Sequence, residues 1–290
     1  MINVLVTGSN GQVGSEIKSL VDEQNEHSRK YRYFFTNKDS LDITQKESIN
    51  KYVENNNIKV IVNCAAYTAV DKAEDEKKIA DLVNNKAVKY LAQISKIKDV
   101  QLIHISTDYV FDGTSTNPYT EYDIPNPQSV YGKTKRFGEK ALLDINPRNS
   151  IIIRTSWVYS HFGNNFVSTM LKLGNTKDEI GVVSDQLGSP TYAKDLAKTI
   201  LEVFPKISNN KVELYHYANE GGISWYDFAK EIMYISELNC KIKALSTNEY
   251  PTSAKRPTYS VLSNRKIVED FSITIPHWKD SLNKYFHSLG

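Results

Sequence analysis

"VLVTGSNGQVGSEI", Val4 to Ile17, decides the fold. An apolar run ends at Gly8, and Gly11 and Gly14 follow at intervals of three residues. Val13, Ile17, Leu20 and Val21 then recur at helical spacing. A glycine-bearing turn between a buried strand and a helix closes tightly. It lets backbone N–H groups approach a pyrophosphate at the helix N-terminus. Strand before and helix after are the context that separates a dinucleotide-binding turn from an ordinary loop.

The same alternation continues. "YRYFFTN" (31–37), "KVIVNCAA" (59–66), "VQLIHIST" (100–107) and "SIIIRTSWVY" (150–159) all have strand character. Helical patterns lie between them. In "LDITQKESINKYV" (41–53), Thr44 and Glu47 have capping-box spacing, and Ile49, Tyr52 and Val53 line one face. Ile79, Leu82, Val83 and Leu91 mark a second helix, and "YGKTKRFGEKALL" (131–143) a third. Apolar strands joined by helices imply a parallel sheet covered on both faces, a doubly wound α/β (Rossmann) domain over residues 1–155. Beyond Tyr159, "SHFGNN" and "DQLGSPTY" are polar and glycine-bearing. "DLAKTILEVF" and "SWYDFAKEIMYI" are helical, with Ser224 and Asp227 as a second capping pair, and "AKRPTYSVLS" and "SITIPHW" are loop-like. Residues 156–290 read as a smaller, interleaved C-terminal lobe, with about 181–205 returning to the first domain.

Composition excludes several functions. Among 290 residues, 36 basic side chains nearly balance 34 acidic ones, so nothing favours nucleic acid or an anionic membrane as partner. Cys64 and Cys240 have no metal-ligand spacing, and Cys64, inside "VIVNCAA", reads as buried and inert. No apolar run approaches the roughly 20 residues of a membrane span. The N-terminus does not read as a signal peptide, so a cytoplasmic protein is expected.

The spacing GxxGxxG resembles the extended short-chain dehydrogenase/reductase superfamily. The second strand ends Phe35-Thr36-Asn37-Lys38, without the carboxylate that grips a ribose 2′-hydroxyl in NAD binders. Lys38 can meet a 2′-phosphate, so NADPH is admitted beside NADH. "YGKTK" then places Tyr131 and Lys135 four residues apart on one helix face. An ammonium beside a phenol favours phenolate, and the pair can exchange a proton with a carbonyl oxygen. In short-chain reductases a serine or threonine at a strand end completes the set. Thr107 of "HISTDYVFDG" fills that place, and Ser106 reads as structural.

"STDYVFDG", "YGKTK", "RTSWVY", "GNNFV", "DQLGSPTY" and "RPTYS" occur in this order and resemble the dTDP-4-dehydrorhamnose reductase family from Val4 to about Trp278. The resemblance implies hydride transfer from NAD(P)H to the C4 keto carbon of a dTDP-linked 6-deoxy-hexulose. Tyr131 would be the proton donor, Lys135 the ribose ligand, and Thr107 and Asp108 substrate contacts. Related 4,6-dehydratases carry Thr-Asp-Glu here. Tyr109 follows Asp108 in this chain, which favours net reduction over dehydration. By the same resemblance the cofactor lies along Gly8, Gly11, Gln12, Val13, Gly14, Asn37, Asp42, Ile43, Ala66, Tyr67 and Thr68. The dTDP-sugar lies along Trp157, Asn165, Gln186, Thr191 and Arg256, the last offering a guanidinium to the diphosphate.

Some members of that family are metal-linked dimers. Glu16 is present here, but "SPTYAKDLA" has Lys194 before Asp195, so a monomer or homodimer without a metal is expected. Two alternatives remain. One is a reductase or epimerase of another sugar nucleotide. The other is a non-catalytic subunit resembling the regulatory subunit of methionine adenosyltransferase, against which Thr107, Tyr131 and Lys135 stand together.

Overall fold

In the computed structural model, residues 1–23 and 30–288 are described. Six parallel strands form the central sheet: β1 (Ile2–Thr7), β2 (Tyr31–Thr36), β3 (Ile58–Asn63), β4 (Gln101–Thr107), β5 (Ile151–Thr155) and, after four strands outside this sheet, β10 (Glu213–His216). Their order across the sheet is β2-β1-β3-β4-β5-β10. Alternating isoleucines, valines and leucines feed two separate cores. Val4, Val6, Val60, Val62, Ile103, Ile151 and Ile153 pack with helix α1 (Gln12–Glu23) on one face. Leu5, Ile61, Leu102 and Ile152 pack on the other face with α2 (Lys46–Asn55), α4 (Ala87–Lys98) and α5 (Val130–Ile145). That period-two alternation fixes the register, since a one-residue slip would exchange the faces.

Five details differ from the sequence reading. The 41–53 helix begins only at Lys46, and its cap Gln45 makes no side-chain bond. Asp42 Oδ1 accepts from the Thr44 N–H (2.9 Å) and hydroxyl (2.7 Å), so a local Asp turn replaces the expected Thr44–Glu47 box. The Ile79–Leu91 segment is broken into α3 (Lys77–Asp81), a π-helical turn (Leu82–Lys86) and α4. "SIIIRTSWVY" is two strands, β5 and β6 (Val158–Tyr159), because Trp157 adopts a left-handed backbone (φ 47°). The sixth strand, β10, was not anticipated. It covers the edge of β5, with Glu213 opposite Ile151.

The later chain builds a small lobe from α6 (Phe166–Gly174), β7 (Glu179–Val183), β8 (Leu187–Gly188), β9 (Thr191–Tyr192), β11 (Ile223–Ser224), α8 (Trp225–Ile235), β12 (Lys241–Leu245) and α10 (Trp278–His287). Its core holds Val167, Met170, Ile180, Phe228, Ile232 and Leu282. Ser224 caps α8 by accepting from the Asp227 N–H at 3.0 Å, as its spacing predicts. Helix α7 (Ala193–Val203) and α9 (Arg265–Phe271) instead bury Leu196, Ile200 and Ile267 in the core on the α1 side of the sheet. Among the described residues no helix is long and apolar enough to cross a membrane.

Candidate active site

The strand order places the turn after β1 next to the loop after β3, where the chain winds away in opposite directions. Ligands of open α/β sheets bind at such a switch point. Gly8 has φ +67°, and a Cβ there would stand 2.6 Å from the Ala65 nitrogen, so only glycine fits. Gly14 lies beneath the Gly8 carbonyl and lines neither of the two cavities beside the turn. It allows helix and turn to touch. A cavity of about 740 Å³ opens beside the turn, lined by Gly8, Gly11, Asn37, Lys38, Asp42, Ile43, Ala66 and Tyr67. A second, of about 420 Å³, shares Gly11, Cys64 and Ala66 with it. It adds Gln12, Val13, Thr68, Thr107, Asp108, Tyr131, Lys135 and Trp157. An elongated dinucleotide fits this pair of adjoining spaces, one end over β2 and the other over β4. The amide oxygen of Gln12 is buried without a partner in the second cavity, a free acceptor for a bound group.

Helix α5 builds the reacting end. Ser129 caps it by accepting from the Gly132 N–H at 3.1 Å. Tyr131 and Lys135, one turn apart, both face the sheet and are buried. The Tyr131 phenol is hydrogen-bonded to the Thr107 hydroxyl. Burial raises its pKa above the ordinary tyrosine range, and the Thr107 bond only partly offsets this. Lys135 is not among the groups that shift the phenol. Desolvation governs the phenol, and the lysine donates to the Ile105 carbonyl at 2.6 Å. A phenol kept neutral is the state a proton donor needs. Lys135 itself is brought down to about 8 by burial, against the opposing Glu139.

Thr107 ends β4, accepts from the Tyr109 N–H at 3.2 Å and donates to Asp108 Oδ1 at 3.0 Å. Asp108 is buried and pushed up to about 6 by desolvation, which its bonds to Ser260 and Thr107 only partly offset. Ser106 points the other way and donates to Glu139 at 2.6 Å, a structural role. Cys64 is only half-buried and lines both cavities, contrary to its reading as a core residue. Desolvation pushes its thiol up to about 12, so it carries no thiolate near neutrality.

The residues read as sugar contacts separate into three groups. Trp157 lies in the second cavity and stacks on Trp225, ring centres 3.4 Å apart. Gln186 and Arg256 line a third cavity of about 330 Å³ that also holds Phe166 and Trp225. Arg256 is already engaged, donating to Asp71 at 2.6 Å and the Tyr109 hydroxyl at 3.0 Å. Asn165 and Thr191 line none of these cavities. Asn165 caps α6, accepting from Ser168 N–H (3.0 Å) and donating to the Ser160 carbonyl (2.7 Å). Its neighbour Asn164 lines the second cavity instead. Thr191 is fully buried behind Thr155, 3.3 Å between hydroxyls. Glu16 and Asp195 are also buried and internally bonded, to Ser160 and to Ser281 and Asn219.

Several supporting residues escaped the sequence reading. Asn84, in the π-turn, bonds both the N–H (2.8 Å) and carbonyl (3.0 Å) of Tyr67 and reaches Thr134 at 3.2 Å. It thereby ties the loop after β3 to the catalytic helix. Glu139 binds Arg154 through two bonds, 2.8 and 2.7 Å, and Trp225 backs Trp157. Glu139 alone left a signal, standing four residues after Lys135 on the same face.

Residues 2–290 match the family described as RmlD substrate binding domain. A "Spore coat polysaccharide biosynthesis protein SpsK" of Bacillus subtilis is 43% identical, covering 98% of this chain and 97% of its own. A "dTDP-4-dehydrorhamnose reductase" of Aggregatibacter actinomycetemcomitans is 41% identical over 97% of each chain. The crystal structure of a dTDP-4-dehydrorhamnose reductase from Bacillus anthracis in complex with NADP superposes with a TM-score of 0.92. It is 35% identical, with 99% of this chain and 100% of that one covered.

Proposed function

The chain belongs to the RmlD substrate binding domain family, and on that premise we infer that it reduces the C4 keto group of dTDP-6-deoxy-L-lyxo-4-hexulose, giving dTDP-L-rhamnose. NADPH or NADH, when bound, supplies the hydride. The observation that carries this reading is one cavity holding Thr107, Asp108, Tyr131 and Lys135 and opening onto the glycine turn. Tyr131, a neutral phenol, gives its proton to the oxygen that gains charge at C4. Thr107 hydrogen-bonds the phenol and orients it toward that oxygen. Lys135 and the turn hold the dinucleotide, and Asp108, which lines the same cavity, is assigned to the sugar. Trp157 supports the ring from below. Gln186 and Arg256 are assigned to the dTDP end, where a guanidinium matches phosphate oxygens. With acid, hydroxyl and lysine assembled, the binding-only alternative is set aside.

The product is placed in cell-surface polysaccharide synthesis, in keeping with the name of the B. subtilis relative. The protein is proposed to act in the cytoplasm, as a monomer or homodimer whose assembly needs no metal. The test is direct. Purified protein with NADPH and the 4-keto sugar nucleotide, generated in situ, should consume reduced nicotinamide in proportion to dTDP-rhamnose formed. Nucleotide binding without turnover would overturn the assignment.

Lys38 lines the first cavity beside Asn37, with Asp39 and Asp42 on the same wall, and its ammonium can meet a 2′-phosphate. NADPH should therefore be preferred over NADH. Lys38→Ala should lower the ratio of kcat/KM for NADPH to that for NADH by about tenfold, the size of one charge-assisted hydrogen bond. A ratio unchanged by the substitution would exclude Lys38 from cofactor selection.

A further inference from the structure

Behind the catalytic cavity, neighbouring strands pass hydrogen bonds from one to the next. Thr7 of β1 stands opposite Asn63 of β3, and Asn63 opposite His104 of β4. Their exposures are 1%, 1% and 0%, so they lie out of contact with bulk solvent. The Thr7 hydroxyl donates to Asn63 Oδ1 at 2.6 Å, and Asn63 Nδ2 meets His104 Nδ1 at 2.9 Å. On the far side of the ring, Nε2 lies 3.4 Å from Lys135 Nζ.

A neutral imidazole has one N–H and one lone pair. Burial holds His104 neutral, well below the usual histidine range, and the Lys135 charge acts in the same direction. Asn63 Oδ1 is taken by Thr7, so the Asn63 amide offers its N–H to Nδ1. The ring proton then sits on Nε2, facing Nζ. An ammonium has only N–H groups to present there, whereas an amine presents a lone pair.

We propose that Thr7, Asn63 and His104 are positioning residues that fix the imidazole with its Nε2–H toward Lys135, so that Lys135 gives up its proton readily. This deepens the reductase reading and rests on it. Tyr131 loses a proton in every turnover, and a lysine with an easily lost proton is a nearby source for its replacement. The titratable groups acting on Lys135 are Glu139 on its own helix, Cys64 after β3 and His104 on β4. Glu139 favours the ammonium, as does the Ile105 carbonyl, while burial and the imidazole oppose it, and Cys64 is a neutral thiol near neutrality.

Two measurements test this. Long-range 1H–15N spectra of the full, ligand-free protein report the His104 tautomer, with His104→Gln identifying its ring signals. Nε2 should be protonated and Nδ1 bare. An Nδ1–H tautomer, or an imidazolium at neutral pH, overturns the proposal, whatever the substrate proves to be. In the second arm, Asn63→Asp sets a carboxylate against Nδ1. That draws the proton to Nδ1 and turns Nε2 into an acceptor. The alkaline midpoint of the kcat profile should rise by about one pH unit. Thr7→Val, which releases the Asn63 amide, should move it the same way by about half as much. A fall in kcat with both midpoints unmoved overturns the proposal and leaves the ladder a packing feature. Absence of turnover in the unmodified protein would instead sink the reductase reading, with the tautomer result standing on its own.

Discussion

Tyr131→Phe should lower kcat by about 1,000-fold while leaving the affinity for NADPH within about threefold, the usual scale for removing a positioned general acid. The substitution deletes one oxygen from a buried ring that otherwise packs against Tyr109, ring centres 5.5 Å apart. Packing is therefore kept and chemistry lost. Thr107 then loses its partner at the phenol but keeps Asp108 Oδ1 as acceptor at 3.0 Å, so the strand end holds its shape. Stopped kinetics with intact binding is the expected pattern. A kcat near that of the unmodified protein would remove Tyr131 from the mechanism. Equal losses in kcat and in cofactor affinity would make it a binding residue instead.

Glu139→Ala should cost about 3–5 kcal/mol of stability, because it leaves the Arg154 guanidinium charged in the interior without its partner. Arg154 is 1% exposed, lies over the Phe111 ring at 5.0 Å, and takes both carboxylate oxygens of Glu139. Burial pushes the Glu139 pKa up. The charge and hydrogen bonds of Arg154, with Ser106 and Arg136, outweigh it, and the net displacement is downward. A carboxylate lowered in the folded state stabilises above its unfolded pKa. That contribution is lost as pH falls through the folded one. Urea midpoints should accordingly drop in the acid range for the parent and show a weaker acid dependence in Glu139→Ala. The paired replacement Glu139→Leu with Arg154→Met should recover most of the loss, since it removes both charges together. Loss of less than about 1 kcal/mol in Glu139→Ala would show that water or a rearranged partner satisfies Arg154.

What the sequence disclosed follows a physical division. The glycine turn, Tyr131 with Lys135, and the hydroxyl at the end of β4 are local patterns whose spacing carries their geometry. The doubly wound sheet was legible for the same reason, since each strand is a short apolar run. Residues that work through partners far along the chain left no such trace. Asn84 meets Thr134 across 50 positions and Tyr67 across 17. His104 acquires its meaning only once register brings Asn63 beside it. Strand β10 is four residues beginning with a glutamate, too short and polar-edged to read as sheet. At Thr44, two local devices competed, and the Asp42 side chain took the donors that a capping box would have used. Asn165 and Thr191 stand in motif blocks that do border the site. Which member of a block turns inward is decided by tertiary packing, and Asn164 has the exposed position.

Strand β10 has a bearing on biosynthesis. Its register against β5 joins Glu213 to Ile151, so about 60 residues must leave the ribosome between a strand and its cover. At translation rates of roughly 5–20 residues per second, the "IIIRT" edge of the nascent chain waits about 3–12 s for its partner. An unpaired isoleucine-rich edge is a template for association with another chain. The length of the intervening lobe thus acts as a clock for aggregation risk, and slower elongation over residues 156–212 would lengthen the vulnerable interval.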